Sequence, residues 1–261
     1  MKLFYRKFGE GQPIIILHGL FGQSDNWNSL AKQFAENGFE VYAVDQRNHG
    51  LSPHSDVWNY KVMSEDVFEL ITDLNLKNVI LLGHSMGGKT AMQFAVNHAE
   101  CLDKLVVADI APKYYPIHHQ GVLEALQAVD FNVVKTRREV EDVLSKYISD
   151  FGTKQFLLKN IFWLDETEMA WRFNLKVIIQ QIENVGQDVE HIGDATPLDI
   201  VCDVQTLFVR GENSNYILEE DIDLIHEIFP RSALETIQGA GHWLHAEKPK
   251  AFFECVMKFI K

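Results

Sequence analysis

Ser85 stands in Gly83-His84-Ser85-Met86-Gly87, with the apolar run VILLG ending at Gly83 and the run GKTAMQFAV opening at Gly88. A serine with glycine two positions away on each side, between a strand-like and a helix-like run, fits a sharp strand-to-helix turn. Such a turn holds strained backbone angles and lifts the hydroxyl above the sheet. A side chain at Gly83 or Gly87 would collide where strand and helix approach each other. The helix N-terminus then directs free N–H groups at the serine, so negative charge is tolerated there. These residues suit a nucleophile that attacks a carbonyl. The plainer alternative is a loop serine capping a helix.

Attack on a carbonyl creates an oxyanion, which needs donors already in place. His18-Gly19-Leu20-Phe21-Gly22 follows an early apolar run. The backbone N–H groups of Leu20 and Met86 are the expected oxyanion donors, and the Leu20 and Phe21 side chains stay free to pack or to line a pocket. A base must also reach the serine. His242, in GAGHWLHAEKP, follows a glycine-rich turn near the C-terminus. To take a proton it must be neutral, so activity is expected to rise with pH through the histidine range. His245 is the rival, expected to order the turn or pack near Glu247, while His49, His54, His118 and His119 read by default as surface or loop residues.

The elements that must hold these residues alternate. Strand-like runs at 2–8, 14–17, 39–45, 78–83 and 104–110 are separated by helical patterns at 25–36, 60–75 and 86–98. That rhythm predicts right-handed crossovers and a mostly parallel sheet. It stops after Asp109 and resumes with strands at 205–211 and 233–237 and helices at 218–229 and 249–260. The segment between, 111–197, reads as an α-helical insertion with almost no strand. The expected organisation is one α/β core domain, 1–110 with 198–261, carrying a helical cap.

The 261 residues are 46% apolar, ample for one large core with an insertion. A formal net charge of −13 disfavours nucleic acid and anionic membranes as partners. Three widely spaced cysteines, Cys101, Cys202 and Cys255, signal neither a disulfide framework nor a zinc site. The N-terminus carries no secretory signal pattern, and no run is apolar enough to span a bilayer. A cytoplasmic protein is expected, with no metal, no cofactor and an open oligomeric state.

HGLFG, DQRNHGLS, GHSMGGK, VADIAP, WRFN and GAGHWLHAEKP, in this order, resemble the α/β-hydrolase superfamily over nearly the whole chain, and within it the small YbfF-type esterases. The resemblance implies a central sheet, a helical cap inserted after what that family numbers strand six (here 104–110), and a Ser–His–acid triad cleaving acyl esters. In the commoner family pattern the acid follows strand seven in a G-x-x-D loop. Here that loop reads Gly211-Glu212-Asn213-Ser214, and Ser214 carries no charge to steady an imidazolium. Asp109, at the tip of the preceding strand, is the expected acid; Glu212 is its rival, and a cap or hinge contact is the bland role for Asp109. Asp45 is expected to be structural, with Arg47 tying its loop down.

The insertion is rich in aromatic residues, among them Tyr115, Phe156, Trp163, Trp171 and Phe173. Most are expected to pack cap against core, but a cap beside the C-terminal edge of the sheet also roofs the ligand cleft. Phe21, Trp163 and Trp243 are the expected substrate-binding side chains, and Arg172 the expected tie between cap and core. The expected substrate is a small-molecule ester with an apolar acyl group of small to medium length. Thioester substrates, as in an acyl-CoA thioesterase, and a non-catalytic small-molecule receptor on the same fold are the alternatives. A serine nucleophile argues against halide displacement and epoxide opening.

Overall fold

A computed structural model describes residues 1–166, 168–189 and 201–261. Its strands are β1 (Tyr5–Phe8), β2 (Gln12–Leu17), β3 (Phe39–Val44), β4 (Val79–His84), β5 (Leu102–Ala108), β6 (Ile161–Trp163), β7 (Met169–Trp171), β8 (Gln205–Gly211) and β9 (Ser232–Ile237). Seven of them form one sheet in the order β1-β3-β2-β4-β5-β8-β9. Only β1 runs antiparallel to its neighbour, so the sheet is mostly parallel.

Parallel strands covered on both faces need apolar residues at successive positions, and Ile14, Ile15, Ile16 and Leu17 are all sealed from solvent. Ile15 and Leu17 point into one layer with α2 (Tyr60–Asp73) and α3 (Met86–Asn97). Ile14 and Ile16 point into the other, with α1 (Asn28–Glu36) and the C-terminal helix Pro249–Ile260. α1 is preceded by a 3-10 turn, Ser24–Trp27, and the chain leaves it through Gly38 at φ +91°. α2 starts from Asn59, whose side chain accepts from Val62 N–H at 3.0 Å.

Between β5 and β8 lie α4 (Gln120–Gln127), α5 (Arg137–Leu144), α6 (Phe151–Leu158), α7 (Leu175–Gln180) and α8 (Glu183–Gly186). The family's strand six is thus the fifth strand of this chain, β5. β6 and β7 pair antiparallel within the insertion, with Ile161 opposite Trp171. This hairpin corrects the expectation of almost no strand: three-residue strands are too short to display a period of two. The expected boundary at 197/198 lies outside the described residues. The insertion shares one apolar cluster with Phe21, Trp58, Tyr60, Met63 and Met86 of the sheet domain. Its two ends meet where Tyr115 N–H donates to Gly186 O at 2.7 Å and Val189 N–H to Pro112 O at 3.2 Å. Lys89 of α3, fully buried, donates its ammonium to Lys113 O and Gln187 O and so pins both ends. Burial lowers its pKa to about 7. α9 (Ile222–Ile228) lies between β8 and β9, and after β9 come α10 (Leu244–Glu247) and α11 (Pro249–Ile260), the last opened by proline at its first position.

Candidate active site

The sheet order turns four distant loops into neighbours. Ser85 follows β4, Asp109 follows β5, Ser214 follows β8 and His242 follows β9, and these four strands are consecutive in the sheet. The strand bearing Asp109 therefore lies between the serine's strand and the later pair.

Ser85 has φ 53° and ψ −118°, a region that costs of order 1–3 kcal/mol for a residue with a Cβ. The glycines around it make the bend possible. A Cβ on Gly83 would lie 2.1 Å from Gly87 O, and one on Gly87 would lie 2.3 Å from Leu17 O. Ser85 N–H donates to Ala108 O at 3.0 Å, and Ser85 O accepts from Lys89 N–H at 3.0 Å. So fixed, its hydroxyl lies 3.0 Å from His242 Nε2. His242 Nδ1 lies 2.7 Å from Asp109 Oδ2. One neutral tautomer satisfies both contacts: Nδ1–H donates to the carboxylate and Nε2 accepts from the hydroxyl.

Asp109 is wholly buried, itself at φ 53°. Besides the histidine, its carboxylate accepts from Gly211 N–H at 2.9 Å and from the Ser214 hydroxyl. Ser214 thus holds the Asp109 carboxylate in place. Glu212 points elsewhere and accepts from Gly239 N–H at 2.7 Å, steadying the turn ahead of His242. Tyr216 stacks on the His242 ring at 3.9 Å, and burial raises its phenol to about 12.

Several contacts escape sequence reasoning. His84, beside the serine, donates to the His242 carbonyl at 2.8 Å and is held neutral by burial. His49 is buried, not a surface residue: its Nδ1–H donates to Arg47 O at 3.0 Å and its Nε2 accepts from Phe21 N–H at 3.3 Å. His18 likewise bonds Gly19 O and accepts from Gln46 N–H at 3.0 Å. Asn160 of the insertion donates to Phe21 O at 2.8 Å. Together they fix the loop at 18–22, and among the described residues the Leu20 amide donates to nothing. The Met86 amide, first in α3, has no partner within its helix. No sequence signal announces these roles, because the bonds to His242 O, Phe21 and Gln46 join residues distant along the chain, and the short-range bonds of His49 and His18 to backbone carbonyls leave no pattern of residue types.

Asp45 accepts from the backbone of Ser24 and of Leu51, the latter at 2.8 Å. Arg47 donates to both Asp66 carboxylate oxygens and to the carbonyls of Val57 and Val62, tying its loop to α2. Other expectations need correcting. Trp163 lies at the tip of β6, 53% exposed, beside a separate hollow bordered by Phe131 and Glu168, so it does not reach the Ser85 cleft. The Arg172 side chain sits over the Phe162 ring at 4.9 Å within the insertion, and it is the Arg172 carbonyl that meets the core, accepting from His54 Nε2 at 3.4 Å. Asn174 adds a second tie: its N–H donates to Asn48 O at 2.8 Å and its amide meets Asn48 Oδ1. His245 stacks on Trp27 at 4.2 Å, and Glu247 holds the backbone N–H groups of Gly241 and Trp243 itself.

Ser85 and His242 open on a cleft of about 480 Å³ that Phe21 and Trp243 both line, with Phe156 packed against Trp243. Among the described residues no group of three or more His, Cys, Asp or Glu side chains could hold a metal ion, and no helix is long and apolar enough to cross a membrane.

A family model described as the alpha/beta hydrolase fold matches residues 12–249. Esterase YbfF of Escherichia coli is 34% identical over 250 residues, covering 95% of this chain and 92% of its own. A protein of Danio rerio named sn-1-specific diacylglycerol lipase ABHD11 is 35% identical over 262 residues, 97% of this chain and 80% of its own. Among solved structures, a marine microorganism esterase is 45% identical with a TM-score of 0.94, covering 99% of both chains.

Proposed function

This chain belongs to the α/β-hydrolase family and is a hydrolase of esterase type, and from that premise we propose that it cleaves small-molecule carboxylic esters through Ser85, His242 and Asp109 by way of an acyl-enzyme. What supports this above all is the unbroken run of hydrogen bonds, 3.0 Å from Ser85 Oγ to His242 Nε2 and 2.7 Å from His242 Nδ1 to Asp109. In the proposed reaction Ser85 Oγ attacks the ester carbonyl while His242 Nε2 takes its proton. The Leu20 and Met86 N–H groups hold the oxyanion. His242 then gives the proton to the leaving alkoxide. A water, deprotonated by the same nitrogen, frees the acid and restores Ser85. Asp109 keeps the imidazole in the working tautomer and balances its charge. The substrate occupies the cleft against Phe21 and Trp243. The sheet core and the helical cap act as two parts of one unit, with catalysis at their junction. Three free cysteines accord with a reducing, cytoplasmic setting.

Thioester cleavage would use the same atoms on a large anionic leaving group, which a net charge of −13 does not invite. A pure binding role would not need the hydrogen-bonded triad. Fluorophosphonate labelling with peptide mapping, beside an ester panel and acetyl-CoA, tests the proposal. Expected are a label on Ser85, ester turnover, and loss of both in Ser85→Ala. An unlabelled Ser85, or turnover surviving in Ser85→Ala, overturns it.

A further inference from the structure

Ser85 opens on a second space besides the cleft. Beside it lies a chamber of about 20 Å³, lined by Leu20, Tyr60, Met86, Ile110, Ile117 and Val185, and by His118, His119 and Tyr216, which it shares with the cleft. His242 does not line it, whereas it lines the 480 Å³ cleft. Its inner wall is mostly hydrocarbon, and the His118 and His119 rings stand where it borders the cleft. The Tyr60 hydroxyl donates to Val185 O at 2.7 Å. The Tyr115 hydroxyl donates to Tyr216 O and accepts from Ala111 N–H at 2.9 Å. Behind the wall made by Tyr60, Met86 and Val185, the gap that reaches Trp58 and Met63 has no usable room, at about 0 Å³.

The chemistry assigns the two spaces. At the tetrahedral centre one bond goes to Ser85 Oγ and one to the oxyanion facing the Leu20 and Met86 amides. The leaving oxygen must face His242 Nε2 to receive its proton. The acyl substituent takes the remaining direction, away from His242. Resting on the serine-esterase reading above, we infer that the small chamber is the acyl pocket and the large cleft the alcohol site, so that the preferred substrates are acetyl and propionyl esters of bulkier alcohols. About 20 Å³ is room for about one water-sized group beyond the carbonyl. Val185, on the short helix α8 of the insertion, sets the depth.

The test is kcat/KM for p-nitrophenyl acetate, propionate, butyrate, hexanoate and octanoate, with 1-naphthyl acetate to vary the alcohol, and fluorophosphonate labelling alongside. The optimum is expected at two or three carbons, with octanoate roughly a hundredfold lower because added methylenes must force the wall apart. The two acetates should differ far less, about tenfold or under. Val185→Ala should move the optimum to butyrate or beyond. An optimum at hexanoate or longer in an enzyme that labels at Ser85 overturns the assignment while leaving the serine-esterase reading intact, and so does a Val185→Ala profile that does not shift. Absence of both labelling and turnover sinks that reading itself, and the assignment with it.

Discussion

Three donors converge on the Asp109 carboxylate: Gly211 N–H, the Ser214 hydroxyl and His242 Nδ1–H. A carboxylate so held cannot swing away, and it keeps the imidazole in one tautomer. With no charge at Ser214, the acid had to be sought on another strand, and the sequence narrows it to Asp109 or Glu212. The hydrogen bonds separate the two: Asp109 meets His242 Nδ1, whereas Glu212 accepts from Gly239 N–H. Asp109→Asn is expected to lower kcat by about 10³–10⁴ through the wrong tautomer. Ser214→Ala removes one orienting bond of about 1–2 kcal/mol and should cost roughly tenfold in kcat with little change in KM. Glu212→Gln should stay within a few fold, because its amide oxygen still accepts from Gly239. Steady-state kinetics on p-nitrophenyl acetate decide it: near-full turnover in Asp109→Asn beside a crippled Glu212→Gln would reverse the assignment. His84 and His49 show what residue types alone conceal. A buried histidine that clamps a carbonyl reads the same in sequence as one on the surface.

At the level of elements, the turn between β4 and α3 depends on two adjacent glycines in different ways. A Cβ on Gly87 would meet Leu17 O at 2.3 Å and His18 O at 2.6 Å, both backbone atoms with nowhere to go. One on Gly88 would meet Ile110 Cγ2 at 2.5 Å, a single side-chain methyl and not backbone. Gly87→Ala is therefore expected to destabilise the protein by about 3 kcal/mol and to lose Ser85 labelling. Gly88→Ala gains helix propensity that offsets part of its crowding, and should cost about 1 kcal/mol or less. Urea unfolding midpoints of the two variants measure the difference, and equal losses would refute the distinction. The elements themselves were largely legible. Long apolar strands and helices with clear ends, such as 205–211 and 249–260, emerge with the expected bounds. The hairpin of β6 and β7 did not, because its pairing comes from the insertion's own packing and not from a local pattern.

Across the whole molecule, burial keeps a set of histidines neutral: it lowers His18 to about 4 and His49 and His245 to about 3. Unfolded, each would bind a proton near 6.5. Between that value and the folded one the unfolded chain binds more protons, so stability is full above about pH 6.5 and falls as pH drops through the window toward 3–4. Each such histidine should contribute about 1 kcal/mol per pH unit. His245→Phe, which keeps the stack on Trp27, is expected to flatten the decline in urea midpoint between pH 6.5 and 4.5. An unchanged slope would show that this histidine is not part of it. The sequence by itself determined the alternation of the core, the strained bend at Ser85 and its glycines, and the late histidine, since each is written in residues adjacent along the chain or in a period of two or 3.6. Only the tertiary structure decided which carboxylate meets His242, 133 residues away, that Arg172 meets the core through its carbonyl while Asn174 bonds Asn48, and that Trp163 borders a hollow separate from the cleft. Those outcomes follow from the order of strands in the sheet and the packing of the insertion upon it, which bring together side chains that share no local pattern.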